Sequence, residues 1–167
     1  MDFKLGDKVV YPSQGDSVVE EISEEELAGT TMECYHLRLL TTESKVVVPV
    51  ANADRVGLRT LADKTDVNRA MRRLRAAEVE DPNNWKDRYR ANLERIKTGD
   101  LDEIVDVLLC LADVASRKTL SFRERKMFDH ARQLLVFEVA EVKGSPVEKI
   151  DRDVEKALKV SMEPAEE

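Results

Sequence analysis

The chain has 167 residues, a length that allows one domain of medium size or two small ones. Hydrophobic residues make up 42% and charged residues 37%, which is typical of a folded protein and excludes a low-complexity chain. The net charge of −7 argues against nucleic-acid binding by the chain as a whole. We expect a cytoplasmic protein, because no apolar run approaches the roughly 20 residues of a membrane helix and the first residues lack the apolar stretch of a signal peptide.

The first sixty residues predict short β-strands separated by turns. The β runs contain β-branched, aromatic or alternating residues, and they cover 8–11, 18–22, 33–39 and 45–50. An acidic turn is expected directly after Ile22. Four or five strands at this spacing predict a small, strongly curved, barrel-like sheet.

From about residue 61 onward the apolar residues recur at helical spacing. Five helices are expected, starting near Asp63, near Trp85, and at three capping boxes: Asp100 with Glu103, Ser121 with Glu124, and Ser145 with Glu148. We therefore predict an α+β protein, with a small Tudor-like or SH3-like β domain over residues 1–62 and a compact all-α domain over residues 63–167.

The reactive side chains do not form a pattern typical of a metal site or an enzyme. Cys34 and Cys110 are far apart, in a predicted strand and a predicted helix, and two reduced, buried thiols are expected. His36 and His130 are also isolated, so a structural role is more probable for each than metal binding. There is no glycine-rich phosphate loop and no nucleophile with a neighbouring base. We expect no cofactor, no metal, no small-molecule substrate and no enzymatic activity.

Positive charge is concentrated in one segment of this acidic chain. Residues 1–62 contain six Lys or Arg against eleven Asp or Glu, whereas residues 68–97 contain nine against five. The one tryptophan, Trp85, lies in the basic segment, after a Pro-Asn turn and at a predicted helix start. Helix N-termini and cations attract phosphate, and an indole can wedge against a base step in the minor groove. The segment therefore predicts contact with distorted or melting duplex DNA.

The same spacing also supports a structural role for Trp85. Together with Tyr89, Leu93 and Ile96 it follows a helical stripe that could face a core, and tryptophan is highly buried on average. In that case the helical domain would bind another protein, and the chain would be a protein-interaction adaptor without direct DNA contact. The residues alone give the two alternatives about equal weight.

Several motifs in order along nearly the whole chain resemble the CarD/CdnL family of bacterial transcription regulators. They are Phe3-Lys4-Leu5-Gly6-Asp7-Lys8-Val9-Val10-Tyr11-Pro12, Val48-Pro49, Val56-Gly57-Leu58-Arg59, Asn84-Trp85 with Arg88-Tyr89, Lys97-Thr98-Gly99-Asp100, and Leu120-Ser121-Phe122-Arg123-Glu124-Arg125-Lys126-Met127. The N-terminal part also resembles the polymerase-interacting module of the transcription-repair coupling factor.

This resemblance implies two partners, the RNA polymerase β subunit and promoter DNA. By position, Trp85 would contact the minor groove at the upstream edge of the transcription bubble, with Lys86, Arg88 and Arg90 on phosphates. The polymerase-binding surface would include Glu25, Leu27, Val47, Val48 and Pro49. The implied function is stabilisation of the promoter open complex by a nucleoid-associated monomer.

Three positions depart from the family pattern. Some members have arginine where this chain has Glu25 and Val47, so a less ionic polymerase interface is expected. Asp87 is acidic where a relative can be basic, which should weaken the attraction to the DNA backbone. We expect low affinity for DNA alone.

Overall fold

The computed structural model describes residues 2–76 and 87–162, with side chains as far as residue 158. It divides into two compact units, Met1–Leu61 and Ala62–Glu167, which we call the β unit and the helical unit. The predicted α+β class, with strands first and helices after them, is confirmed.

The β unit is one antiparallel sheet of five strands. In the order β4-β3-β2-β1-β5, it contains β1 (Lys8–Tyr11), β2 (Gly15–Leu27), β3 (Thr30–Leu39), β4 (Lys45–Pro49) and β5 (Arg59–Thr60). A single 3-10 turn (Val50–Asn52) and the short helix α1 (Ala53–Val56) connect β4 to β5. Within the described residues β4 is an edge strand, so one side of its backbone has no strand partner.

The second strand is longer than the sequence indicates. The predicted acidic turn after Ile22 is wrong, because β2 continues to Leu27 and pairs with β3 along its whole length. The chain reverses at Ala28 and Gly29, whose φ angles of 51° and 79° fit the type I′ turn favoured between twisted strands. Glutamates have a low β-propensity, but one face of a hairpin can lie in solvent, and continuous pairing then decides the local structure.

The two faces of this sheet have different environments. Side chains of directly opposed residues lie on the same face. One face forms the core of the unit, with Val9, Val19, Leu37 and Tyr35 at most 2% exposed. The Phe3 N–H donates to the Tyr35 hydroxyl at 3.1 Å, and the two rings meet edge to face at 5.7 Å. We call the opposite side of β2, β3 and β4 the outer sheet face.

The helical unit contains five helices in its described part, as predicted. They are α2 (Lys64–Ala76), α3 (Arg88–Thr98), α4 (Leu101–Arg117), α5 (Phe122–Lys143) and α6 (Val147–Met162). Helix α4 packs against each of the other four, and Leu108 and Leu111 in it are fully buried. No helix in the described ranges is long and apolar enough to cross a membrane.

Side-chain caps fix the starts of two helices. The Asp100 carboxylate accepts from the Asp102 N–H at 2.8 Å, and the Ser121 hydroxyl accepts from the Glu124 N–H at 3.2 Å. Both caps satisfy amides that have no partner within their own helix. The Glu124 carboxylate, which a capping box would direct back to Ser121, binds an arginine of α3 instead.

Candidate functional site

The outer sheet face brings together four of the five residues predicted to bind polymerase. Glu25 of β2 is opposite Met32, and Val47 of β4 is opposite His36. Because Met32 and His36 alternate along β3 on one face, Glu25 and Val47 lie on the same side of the sheet. By the same alternation, Leu27 and Pro49 lie there too. Leu27 is 38% exposed and Val47 is 44% exposed, so this face presents apolar side chains to solvent.

The side chain of Val48 points the other way. It is 3% exposed, lies opposite Tyr35 and belongs to the core of the β unit. Alternation along a strand requires that Val47 and Val48 face opposite sides. Of these two predicted contact residues, only Val47 therefore offers its side chain to a partner, and Val48 can contribute backbone atoms at the sheet edge.

Glu25, the acidic residue on the outer sheet face, belongs to a small polar network with Ser23 and His36. The His36 ring Nε2 lies 2.9 Å from the Ser23 hydroxyl and 3.1 Å from a carboxylate oxygen of Glu25. The Ser23 hydroxyl also lies within hydrogen-bond distance of Glu25, at 3.3 Å. Cys34 lies directly opposite Ser23 on β3, and burial and the charge of Glu25 raise the pKa of its thiol. The sequence did not indicate a link between Glu25 and His36, because the hairpin register that joins them was predicted to end before Glu25.

Only part of the predicted DNA-contacting segment can be placed. Trp85 and Lys86 lie outside the described residues. Arg90 is exposed on α3 and makes no ion pair with any residue the structure describes. Tyr89 and Leu93 are partly buried against the helical core and Ile96 is 3% exposed, so these members of the predicted stripe do face inward.

Arg88, predicted as a phosphate contact, is bound to a carboxylate of another helix. Its Nε and Nη2 donate to the two oxygens of Glu124 at 2.7 and 2.8 Å. The two side chains are only 15% and 9% exposed. The hydrogen bonds and positive charge of Arg88 hold the pKa of Glu124 below its usual value. Such a paired, largely desolvated guanidinium has little remaining capacity for a phosphate.

The neighbouring residues make a second contact between the same two helices. The Arg123 guanidinium lies over the Tyr89 ring, 4.0 Å from its centre. The first turn of α3 is thus attached to the first turn of α5 by an ion pair and a cation–π contact. These partners are more than thirty residues apart in sequence, and no local pattern identifies them.

The arginines of α2 are also partly neutralised. Arg69 lies 3.1 Å from Asp66 and 3.0 Å from Asp102, and Arg73 is paired with Asp102 and Asp106. The sequence predicted a basic surface here because the α4 carboxylates are distant in the chain. Arg72 and Arg75, which are exposed, make no ion pair within the described ranges.

The start of α5 exposes an aromatic ring among basic side chains. Phe122 is 75% exposed, and the Lys126 ammonium lies 4.7 Å from the centre of its ring. Arg123 and Arg125 are its close neighbours in sequence. An exposed aromatic ring with cations is a common element of nucleic-acid surfaces. Phe122 lies in one of the motifs that resemble the CarD/CdnL family, but the sequence alone does not show that its ring is exposed.

Comparison with known proteins agrees with this architecture. The family model described as CarD-like/TRCF RID domain matches residues 3–62, and the model described as CarD, C-terminal domain matches residues 69–155. The chain is 30% identical over 142 residues to the candidate transcription factor YdeB of Bacillus subtilis (strain 168), a match that spans 85% of this chain and 93% of that protein. The chain therefore belongs to the CarD family, and it is a CarD-like transcription factor that interacts with RNA polymerase.

Proposed function

We propose that the outer sheet face binds the RNA polymerase β subunit and that the helical unit stabilises the promoter open complex. The observation that supports docking most directly is the grouping of Glu25, Leu27, Val47 and Pro49 on one face. Protein interfaces commonly combine apolar contacts, which become buried on binding, with a few polar groups in fixed positions. The exposed apolar side chains around the hydrogen-bonded carboxylate of Glu25 match this pattern. With Glu25 and Val47 in place of arginine, this interface depends more on apolar contact than on ion pairing.

In the helical unit, we propose that Trp85 enters the minor groove at the upstream edge of the bubble. Lys86 and Arg90 would bind adjacent phosphates, and Phe122 with Lys126 would extend this surface. Arg88 is bound to Glu124 and would contact phosphate less directly than Lys86 and Arg90 do. The exposure of Arg90 and Phe122 near the start of α3 and α5 supports this assignment.

The two surfaces act together in the proposed mechanism. Docking of the β unit raises the local concentration of the helical unit at the promoter, so a weak DNA contact becomes effective. Insertion of an indole costs a few kcal/mol of unstacking, and this cost is smallest where the duplex is already opening. A contact made only with opened DNA shifts the equilibrium between closed and open complexes.

Docking is tested by Val47→Glu in the full chain. Placing a charge where an apolar contact forms should weaken binding to an isolated polymerase β fragment at least about tenfold. Leu5→Glu is the matched control, since Leu5 is 66% exposed in the same unit and outside the outer sheet face. If the two variants bind the β fragment with equal affinity, the outer sheet face is not part of the interface.

The DNA contact is tested by Trp85→Ala. Open complexes with this variant should dissociate faster than those with the wild type, while binding to the β fragment is unchanged. The measurement is the lifetime of promoter complexes after addition of a competitor. Equal lifetimes would exclude the wedge and leave only the docking half of the proposal.

A protein-interaction adaptor is the second candidate. The neutralised arginines of α2 and the inward stripe of Tyr89, Leu93 and Ile96 favour it. In an adaptor Trp85 would be a core residue, so its fluorescence would be blue-shifted and protected from quenchers in the free protein. A red-shifted, quenchable indole would instead favour DNA contact.

A further inference from the structure

The carboxylate of Glu25 has a fixed position on the outer sheet face. Its Oε1 lies 3.1 Å from the His36 Nε2 and 3.3 Å from the Ser23 hydroxyl, and those two groups lie 2.9 Å from each other. Both contacts are made by the same carboxylate oxygen, and no residue that the structure describes donates a hydrogen bond to the second one. The side chain of Glu25 is 42% exposed, so a partner can reach this carboxylate.

Apolar side chains lie on both sides of Glu25. Val47 of β4 is opposite His36, whose ring contacts the Glu25 carboxylate, and Leu27 is the next residue of β2 on the same face. Pro49 follows Val47 on this face by the same alternation. A partner that covers the exposed apolar residues therefore covers Glu25 with them.

The basic side chains of the outer sheet face do not neutralise Glu25. Arg38 is bound to Glu20 at 2.6 Å, and Lys45 lies opposite Arg38, toward the end of β3 that is distant from the hairpin turn. Across the described residues of the β unit, neither cation makes an ion pair with Glu25. The carboxylate therefore keeps its charge for a partner.

We propose that Glu25 binds a lysine or arginine side chain of the RNA polymerase β subunit, within an otherwise apolar contact. This inference rests on the proposed function, because it takes the outer sheet face as the docking surface. Docking removes water from the carboxylate, and an ionised group that loses its water without a counter-charge is strongly disfavoured. Ser23 and His36 keep the carboxylate inside the contact area, so the compensating charge comes from the partner.

The substitution Glu25→Arg gives opposite results for the two possible partner charges. Some relatives have arginine at this position, and charge complementarity would give such an arginine an acidic group in its partner. If the polymerase that this protein binds presents an acidic group there, Glu25→Arg should strengthen docking. If it presents a cation, Glu25→Arg brings two like charges together and should weaken docking by at least about thirtyfold.

The experiment measures the affinity of the full chain for an isolated polymerase β fragment at about pH 8, where an ordinary histidine is neutral. Glu25→Gln and Glu25→Arg are compared with Glu24→Gln and Glu24→Arg. Glu24 is exposed on the same strand, but it is opposite Glu33 and faces the other side of the sheet. The matched variants therefore change the net charge equally.

We expect Glu25→Gln to weaken binding about three- to thirtyfold, and Glu24→Gln to change it less than about twofold. Tighter binding by Glu25→Arg, or equal affinities of Glu25→Arg and Glu24→Arg, would overturn the proposal.

Charge reversal in the partner provides a second test. Basic residues of the β fragment are changed to glutamate one at a time, and each fragment is bound to the wild type and to Glu25→Arg. The fragment that has lost the proposed cation should bind the wild type weakly and Glu25→Arg more tightly, because the exchanged charges again attract. If no fragment variant prefers Glu25→Arg to the wild type, the proposed ion pair does not exist.

Val47→Glu separates a failure of this inference from a failure of the proposed function. If Val47→Glu weakens binding but Glu25→Gln and Glu24→Gln bind equally, the docking surface stands and the cationic partner of Glu25 is rejected. If Val47→Glu and both Glu25 variants all bind like the wild type, the outer sheet face does not dock, and both proposals are wrong.

Discussion

The buried carboxylate of Glu124 should make the stability of the helical unit depend on pH. Arg88 lowers the pKa of Glu124 in the folded protein, relative to 4.5 for the free side chain. A lowered folded-state pKa contributes stability that is complete above the unfolded-state pKa and is lost as pH falls through the folded-state pKa. Glu124→Gln should therefore cost about 1–3 kcal/mol at about pH 7, and the difference from wild type should shrink below about pH 4.5.

Urea unfolding followed by far-UV circular dichroism measures this difference, because most of the helical signal comes from the helical unit. Asp129→Asn is the control, because Asp129 of the same helix pairs with Arg125 at 3.7 Å in an exposed ion pair. Such a pair contributes about 0–1 kcal/mol. A cost for Glu124→Gln that is the same at about pH 7 and about pH 3 would contradict the pKa assignment.

At the residue scale, the sequence does not show which partners the individual side chains contact. Glu25, Leu27, Val47 and Pro49 lie on one face of the sheet and Val48 on the other, and the role of all five on polymerase stays a prediction. Alternation along β4 requires that Val47 and Val48 face opposite sides, but the sequence does not show which of them faces inward, because that depends on the sheet's orientation toward its core. The partner of Arg88 could not be predicted, since Glu124 is 36 residues away and only tertiary packing joins them.

At the scale of elements, the turn between β2 and β3 offers a stabilising substitution. Ala28 has φ of 51°, a left-handed conformation that costs an ordinary L-residue about 1–2 kcal/mol. Asparagine tolerates this region, and Asn-Gly is the preferred pair in type I′ turns. Ala28→Asn should therefore stabilise the β unit by about 0.5–1 kcal/mol. Urea unfolding followed by NMR signals of Val9 and Leu37, two core residues, measures the effect.

Gly29→Ala is a control in the same turn for which the opposite effect on stability is expected. Nothing lies within 4 Å of a Cβ at Gly29, so only its φ of 79° opposes the substitution. The variant should be less stable by about 1 kcal/mol. If Ala28→Asn lowered stability, the turn geometry would be wrong.

The helices were easier to predict than the long hairpin for a physical reason. A helix start has a local signature, so the caps at Asp100 and Ser121 were located from the sequence alone. The continuation of β2 through Ser23 to Glu26 depends on pairing with residues 31–34, and glutamate residues give no local sign of it. Long-range pairing therefore determined the end of β2 at Leu27 and the start of β3 at Thr30, neither of which was predicted.

At the scale of the whole molecule, the division of charge between units was visible in the sequence, but the neutralisation of that charge was not. The β unit is acidic, and residues 68–97 contain nine Lys or Arg. In the structure, Arg69, Arg73 and Arg88 face carboxylates that come from distant parts of the chain. Counting basic residues therefore overstates the charge available to DNA.

The salt dependence of DNA binding should reveal how much positive charge remains. If all nine basic residues of 68–97 met phosphates, the slope of log K against log salt would be about −8. Within the described residues of this segment, the exposed arginines without an ion pair are Arg72, Arg75 and Arg90. With Lys86 they predict a slope of about −4.

Anisotropy of a labelled forked duplex between about 50 and 200 mM salt measures this slope. Arg90→Gln should reduce its magnitude by about one, as expected for loss of one phosphate contact. Arg73→Gln should leave the slope nearly unchanged, because that guanidinium is already bound to Asp102 and Asp106. A slope near −8, or an equal loss for both variants, would mean that the paired arginines leave their carboxylates for DNA. In that event the helical unit would bind DNA by its charge as a whole, without the few fixed contacts proposed for it.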